Sequence, residues 1–355
     1  MDQRDDIAIL FFNLGGPDTL AAVEPFLINL FSDREIIELP GGAALQPLFA
    51  RVVARLRGPS VRRNYASIGG GSPQLRITRA QAAAVEARLN DVTGPAAPRH
   101  RALVAMRYSR PSAADALAEI AAAGISRVLT VTLFPHFSKA TTGSSRGEFE
   151  RTLARPEWLA LAARLELDHI EHYPDDPRYL DAMADTVRTA WADIPSERRA
   201  STVILFSAHG LPQKFIDQGD PYVRHILATR AGILARLGLP NREVLAYQSR
   251  TGPVRWIGPG TEETLVALAR EGVENVLVVP LSFVSDHIET LYEVDMLFAD
   301  AARAAGITGY YRTPALNTHP LFIDALTVMI AERARALGWI AGDAEPARLT
   351  AASVA

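Results

Sequence analysis

The feature that most constrains the fold is an alternation between short apolar runs and longer stretches with helical periodicity. The apolar runs are rich in β-branched residues and lie at 8–16, 101–106, 127–134, 202–210, 242–247 and 275–283. The helix-like stretches between them include 112–123, 179–194, 222–237 and 261–271. Nearly continuous apolar strands are typical of parallel sheets that helices cover on both faces. The pattern therefore predicts an α/β protein with parallel sheets.

A faint internal repeat predicts two domains of similar build. Residues 124–133 resemble residues 272–281, and residues 9–17 resemble residues 203–212. In both pairs an apolar strand adjoins a glycine-containing turn, and the 355 residues are enough for two hydrophobic cores. We therefore expect two doubly wound domains with sheets of four to five parallel strands. The expected limits are 1–165 and 166–335, followed by a disordered tail at 336–355.

Composition excludes several classes of site. The sequence contains no cysteine, which excludes disulfides, thiolate zinc sites, cysteine nucleophiles and cysteine-bound iron–sulfur clusters. A net charge of −3 does not suggest bulk binding to nucleic acid. The start of the chain lacks the basic and apolar segments of a signal peptide, and no apolar run approaches the roughly 18 residues that span a bilayer. We therefore expect a cytoplasmic protein.

The polar residues that follow the predicted strands are the candidates for function, because ligands of open parallel sheets bind beyond the carboxyl ends of the strands. His209 ends one strand, where an imidazole can exchange protons near neutral pH or simply hydrogen-bond to the next turn. After the strand at 275–283, a helix that begins near Asp286 would place Asp286, Glu289 and Glu293 on one face. His287 lies beside them. Such a carboxylate cluster suits a cation or a proton, although Asp286 and Glu289 also fit a capping box.

Three further motifs leave alternatives open. The glycine-rich segment 69–73 precedes a predicted helix and could hold an anion, but it lacks the lysine of a P-loop. His169 and His172 have a spacing that metal ligands use, within a loop-like segment. Residues 44–57 form an amphipathic helical pattern with arginines on it and just beyond it. This helix could lie on a membrane surface or pack on the core of the protein.

Seven segments of the sequence, taken together, resemble the ferrochelatase family. They are NLGGPDTL, YASIGGGSP, LFPHFSKATTGSS, LFSAHGLP, QGDPY, YQSRTGPVRWIGP and SFVSDHIETLYEVD. The resemblance covers roughly residues 6–335 and implies two Rossmann-like domains with a porphyrin cleft between them. It also implies a lip at 41–73, similar to that of members that use protoporphyrin and touch the membrane.

The resemblance further implies which residues act. His209 is implied as the central histidine and Glu289, with His287, as its partner across the porphyrin; His209 and Glu289 are implied to contact the metal. The residues implied on the family's acidic path are Asp286, Glu293 and Asp295. The residues implied at or near the porphyrin are Leu14, Tyr65, Arg107, Tyr108, Ser144, Tyr222, Gln248 and Trp256.

The implied function is insertion of ferrous iron into protoporphyrin IX, the last step of haem synthesis, by a lyase that forms nitrogen–metal bonds. Ferrous iron is then a substrate, and no prosthetic group is expected. The hypothesis is that His209 accepts pyrrole protons while His287 and Glu289 handle iron or protons. Two alternatives stay open: a related chelatase that takes cobalt, nickel or coproporphyrin, and a non-catalytic haem-binding module. Whether the chain is a monomer or a homodimer is also open.

Overall fold

The computed structural model describes residues 6–37, 42–250 and 254–341. These residues form two four-stranded sheets in which every pairing is parallel, as the alternation predicts. The strands are β1 Ile7–Asn13, β2 His100–Met106, β3 Arg127–Thr132, β4 Glu166–Ile170, β5 Thr202–His209, β6 Glu243–Gln248, β7 Asn275–Pro280 and β8 Gly309–Arg312. The first sheet has the order β2-β1-β3-β4 and the second has the matching order β6-β5-β7-β8.

Helices connect the strands and cover both sheets. The α-helices are α1 Val23–Ser32, α2 Gly42–Ser67, α3 Gln74–Thr93, α4 Ala113–Ala122, α5 Ser144–Leu153, α6 Leu159–Ala162, α7 Pro177–Asp193, α8 Ser196–Arg199, α9 Gln213–Asp217, α10 Tyr222–Leu237, α11 Thr261–Arg270, α12 Ala299–Ala305 and α13 Pro320–Ala336. Short 3₁₀ helices lie at Leu20–Ala22 and Pro156–Trp158, and π-helices lie at Lys139–Gly143 and Glu289–Phe298. Among the helices that the structure describes, none combines the length and apolar character that crossing a membrane requires.

The two sheets share one continuous core. Ile9 and Phe11 of β1 and Ile204 and Phe206 of β5 belong to the same cluster of buried apolar side chains. Phe322 of α13, fully buried, is part of that cluster. Burying a phenylalanine or isoleucine of this kind contributes roughly 1.5–3 kcal/mol. The shared core therefore fixes the two sheets, and the loops beyond their strands, relative to each other.

The structure differs from the expectations in two strands and at two boundaries. β4 and β8 fall outside the predicted apolar runs, and β4 extends the first sheet past residue 165. The expected tail begins with ordered residues: α13 ends at Ala336, and Trp339 is 6% exposed and donates a hydrogen bond to Glu166. The rest of that tail, 342–355, and residue 41 of the lip lie outside the described residues.

Candidate active site

His209 is the last residue of β5, a strand flanked by β6 and β7. Its backbone N–H donates to Ser282 Oγ at 2.7 Å, and its carbonyl accepts from Tyr222 Oη at 2.9 Å. The Ser282 and Tyr222 hydroxyls are themselves 2.6 Å apart. Because both backbone groups are held, the imidazole leaves the carboxyl edge of the sheet in a fixed direction.

The imidazole of His209 is paired with Glu289. Its Nδ1 lies 2.8 Å from Glu289 Oε2, and the histidine side chain keeps 29% of its surface exposed. Burial alone would lower the pKa of His209, but the Glu289 carboxylate raises it above the usual value. An ionised carboxylate only accepts hydrogen bonds, so Nδ1 carries the proton and Nε2 holds the lone pair in the neutral ring. His209 is therefore oriented as a proton acceptor at Nε2.

This contact corrects one implication of the resemblance. A partner across the porphyrin would have to be separated from His209 by the thickness of the macrocycle. The direct hydrogen bond between His209 and Glu289 leaves no room for a ring between them. Glu289 therefore lies on the same side as His209 and acts on it directly.

Glu289 and Glu293 share one hydroxyl group. Ser249 Oγ lies 3.0 Å from Glu289 Oε2 and 2.5 Å from Glu293 Oε2, and Gln248 Nε2 donates to Glu289 at 3.2 Å. A hydroxyl has one proton and can donate to only one carboxylate at a time. Burial and the neighbouring Glu289 raise the pKa of Glu293 to about 7. The arrangement is satisfied when Glu293 is protonated and donates to Ser249, which in turn donates to Glu289.

Glu289 itself remains ionised. Burial would raise its pKa, but His209, His287 and the Ser249 hydroxyl together hold the pKa of Glu289 at about 2. The two neighbouring carboxyl groups thus have pKa values on opposite sides of the usual range. Such a separation is typical of sites in which one group stays charged while the other exchanges protons.

His287 is buried beside this pair. Its Nδ1 lies 3.1 Å from the Ser285 carbonyl, so Nδ1 donates and Nε2 holds the lone pair. That Nε2 is 3.9 Å from Glu289 Oε1 and has no hydrogen-bond partner among the described residues. The ring of Phe283 lies 4.1 Å from that of His287 and 5.8 Å from that of His209, centre to centre. Burial lowers the pKa of His287. It is therefore a neutral imidazole whose Nε2 lone pair lies next to an ionised carboxylate.

Two of the three residues implied on the acidic path, Asp286 and Asp295, pair with Arg312 instead of joining the group around His209. Asp286 precedes the helix instead of starting it, because the π-helix begins at Glu289. Its carboxylate accepts from Arg312, Asn317 and Thr290 and does not join Glu289 and Glu293 on one face. Asp295 pairs with the same Arg312. The expected single face of three carboxylates is therefore wrong for Asp286, and its capping-box role is also not formed.

Three of the implied porphyrin residues converge on an aspartate that the sequence analysis missed. Asp33 Oδ2 accepts from Ser144 Oγ at 2.5 Å, Tyr108 Oη at 2.6 Å and Arg107 Nη2 at 2.7 Å. Burial would raise the pKa of Asp33, but these donors lower it. Tyr108 and Ser144 are almost fully buried. Their hydroxyl groups therefore hold the Asp33 carboxylate in place, and Asp33 carried no motif that could have revealed it.

The remaining implied porphyrin residues lie on both halves. Leu14 directly follows β1 and packs in the apolar cluster of α1 and α2. Tyr65 of α2 is 4% exposed, and it lies close enough to Glu289 for that charge to raise the pKa of Tyr65 further. Gln248 ends β6, and Trp256 pairs with Pro212 just after β5. A cavity of about 720 Å³ opens at the carboxyl edge of the first sheet, with Arg107 and Tyr108 in its lining.

The open motifs outside this site have structural explanations. Gly71 packs so closely that an added Cβ would meet the Asp18 carbonyl oxygen at 2.2 Å, so this loop serves close packing. His169 Nδ1 is 2.7 Å from Thr130 Oγ1, whereas the His172 ring packs against that of His225. Within the described residues, no three His, Asp or Glu side chains are grouped as a metal site.

Comparison with known proteins identifies the family of the chain. The family model for ferrochelatase matches residues 6–334. A ferrochelatase of Geotalea uraniireducens is 48% identical over 91% of this chain and 96% of its own, and one of Synechocystis is 44% identical over 92% and 82%. The structure of SirB from Bacillus subtilis with Fe³⁺ superposes with a TM-score of 0.52 at 13% identity, covering 95% of this chain and 100% of SirB, which shows a shared fold. The chain belongs to the ferrochelatase family.

Proposed function

We propose that this chain inserts ferrous iron into protoporphyrin IX, with His209 as the acceptor of the pyrrole protons. The observation that carries the proposal is the pairing of His209 Nδ1 with the ionised Glu289, which leaves Nε2 as a base on a partly exposed ring. Positioned histidine bases typically contribute 10²–10⁴-fold to a rate.

Glu289 and Glu293 provide a path by which protons leave His209. When His209 accepts a pyrrole proton at Nε2, its ring becomes positively charged, and Glu289 stabilises that charge at 2.8 Å. Ser249 connects Glu289 to Glu293, whose pKa near 7 allows it to release a proton to solvent at neutral pH. Glu293 is thus the proposed exit for protons on the acidic path.

Iron is handled by ligands of moderate affinity. His287 Nε2 and Glu289 Oε1 lie 3.9 Å apart and present one imidazole nitrogen and one carboxylate oxygen. Nitrogen and oxygen donors bind ferrous iron without the affinity of thiolates, so the ion can be passed to the porphyrin. We propose these two residues as the ones that hold iron before insertion.

The test is an anaerobic assay with protoporphyrin IX and ferrous iron, followed by the loss of porphyrin fluorescence, with zinc as an air-stable parallel. We expect turnover by the wild type and a loss of about 10²-fold or more in His209→Ala. The matched control is His169→Ala, since His169 is another half-buried histidine, located on β4 and bonded to Thr130. A near-normal rate in His209→Ala would refute its role.

The same assay separates the alternatives. Binding of porphyrin without turnover would indicate a haem-binding module. Turnover with sirohydrochlorin or coproporphyrin, or with cobalt or nickel, in preference to iron and protoporphyrin would indicate a different chelatase.

We also propose that the enzyme works in the cytoplasm as a peripheral membrane protein, through α2. Leu45, Leu48, Val52 and Leu56 form one apolar stripe along this helix and are 44%, 57%, 48% and 76% exposed. Arg51 and Arg55 are exposed next to it. An exposed apolar stripe flanked by arginines fits an anionic lipid surface.

This proposal is tested by sedimentation with vesicles that contain anionic lipid. Leu48→Ser combined with Leu56→Ser should reduce the bound fraction, because each change removes apolar area from the interface. Leu159→Ser is the control, since Leu159 is 56% exposed on α6 in another part of the molecule. Equal binding of all three proteins would refute a docking role for α2.

A further inference from the structure

The helix that carries Glu289 and Glu293 is of an uncommon type. Residues Glu289–Phe298 form a π-helix, a geometry that is rare and usually limited to a single turn. At ten residues this π-helix is longer than a single turn, and side chains from outside it support it by bonding to Val294 and Asp295. The positions of both carboxylates depend on that support, because each must reach the single hydroxyl of Ser249.

Arg312, the last residue of β8, bonds to one carboxylate before this helix and to another within it. Its Nε and Nη2 donate to the two carboxylate oxygens of Asp295 at 2.5 and 2.9 Å, and its Nη1 donates to Asp286 Oδ1 at 3.3 Å. Asp286 lies before the first residue of the π-helix, and Asp295 lies in its second half. A planar guanidinium that bonds both carboxylates restricts the distance between these two points.

Residues near Arg312 also restrain the π-helix and the segment before it. Tyr310, on the same side of β8 as Arg312, donates its hydroxyl to the Val294 carbonyl at 2.7 Å. Asn317 donates to Asp286 Oδ2 at 2.8 Å and accepts from the Asp286 backbone N–H at 2.9 Å. Asn317 has a φ of +43°, a strained conformation for a residue with a side chain. The described surroundings of Asp286 thus converge on fixing the entry to the π-helix.

We propose that Arg312 is a positioning residue of the metal-insertion site. By joining Asp286 to Asp295 it fixes the register of the π-helix, which keeps Glu289 within hydrogen-bond distance of His209 and Glu293 within that of Ser249. Asp286 and Asp295 are then anchors for Arg312 and not stations on a route for iron or protons. The inference rests on the proposed function, because its main readout is metal insertion.

A merely structural ion pair would behave differently. The side chains of Arg312, Asp286 and Asp295 are 16%, 20% and 33% exposed. A pair at a protein surface usually has little effect on stability and none on turnover. If Arg312 acts through the position of Glu289, its loss must lower kcat while the binding of porphyrin stays the same.

The experiment compares Arg312→Gln, Asp295→Asn, the double variant and Arg312→Lys with the wild type in the zinc and iron assays. We expect kcat to fall about tenfold in Arg312→Gln, since small displacements of catalytic groups have effects of this size or larger. The Kd for porphyrin, from fluorescence quenching, should change less than twofold. The double variant should be no slower than Arg312→Gln, because both changes break the same contact. Arg312→Lys should restore part of the rate.

Arg303→Gln is the matched control, since Arg303 forms an exposed i,i+3 pair with Asp300 just after the π-helix. Hydrogen exchange of the peptide 286–298 gives a readout that does not need activity: it should be faster in Arg312→Gln and unchanged in Arg303→Gln. If Arg312→Gln does not fold, Asp295→Asn decides, because it leaves the contact of Arg312 with Asp286. A wild-type kcat with unchanged exchange would overturn the inference. Absence of metal insertion by the wild type would instead refute the proposed function. The hydrogen-exchange data would still test whether Arg312 restrains the π-helix.

Discussion

The two halves of the molecule have the same topology but different chemistry. Leu133 N–H donates to the Phe12 carbonyl in the first sheet, and Leu281 N–H donates to the Ser207 carbonyl in the second. Counting two residues on from Phe12 and from Ser207 places Leu14 and His209 at equivalent positions. One half therefore presents an inert side chain where the other presents a base.

The same contrast appears after β3 and β7. Both strands lead to a π-helix, at Lys139–Gly143 and at Glu289–Phe298. The first has hydroxyl groups and no carboxylate, and the second has Glu289 and Glu293. A shared scaffold thus supplies two similar loops after β3 and β7, and among the described residues only the second half places a histidine and two neighbouring carboxyl groups together there. Substitutions at equivalent positions of the two halves test this difference.

The largest effect is expected at Glu289. Glu289→Gln keeps an acceptor for His209 Nδ1 but removes the charge that stabilises the protonated ring, so kcat should fall by about 10²-fold or more. The pKa of His209 should also fall, because burial then dominates, and NMR titration of the ring would measure it. Thr141→Val is the control, since Thr141 lies eight residues after Leu133 as Glu289 lies eight after Leu281. A normal rate in Glu289→Gln would remove the distinction between the halves.

A smaller effect with a defined pH dependence is expected at Glu293. Its pKa of about 7 means that it is protonated below neutrality and ionised above it. Only the ionised form can accept a proton through Ser249, so the wild-type rate should rise as the pH increases through 7. Glu293→Gln should lose the part of this rise that Glu293 contributes, with a rate about tenfold below wild type at pH 8 and similar to it at pH 6, while the titration of His209 affects both proteins alike. An unchanged pH–rate profile would exclude Glu293 from the path of the protons.

The apolar runs predicted six of the eight strands in the described residues and missed β4 and β8, which form one edge of each sheet. β4 and β8 are half-exposed edge strands, so they need no continuous apolar run, and Asp168 and Arg312 within them carry charge. The helix after β7 begins later than the expected start near Asp286. Distant partners in the structure, above all Arg312 and Asn317, decide where the helix begins.

The site was predictable to the extent that strand ends and the family resemblance indicate it. The carboxyl-edge rule selects His209 and Gln248 and would also have selected Ser249, which directly follows β6. The bond between His209 and Glu289 joins residues 80 positions apart, and periodicity has no information on such a pair. Asp33 was missed for the same reason, because its three donors come from other loops.

The smallest effect on turnover, and a clear effect on stability, is expected at His136, which follows β3. Its Nε2 lies 2.9 Å from Thr229 Oγ1, and Thr229 donates to Pro174, so His136 must be the donor. No carboxylate among the described residues pairs with His136, and burial lowers its pKa to about 3. The unfolded chain, with a histidine pKa near 6.5, binds more protons below that pH. The free energy of unfolding therefore falls as the pH drops below 6.5. Protonation of His136 in the unfolded chain accounts for about 2 kcal/mol of that loss at pH 5.

His136→Gln keeps a donor for Thr229 and cannot be protonated, so it should flatten the loss of stability between pH 7 and pH 5, measured by urea unfolding, with kcat unchanged within twofold. His209→Gln should do the opposite. The pKa of His209 is raised by Glu289, so its contribution is present below the unfolded pKa and is lost as the pH rises through the folded pKa. Removing it should steepen the loss on acidification. Equal slopes for the two variants would mean that the carboxylate beside His209, absent beside His136, does not separate the two histidines.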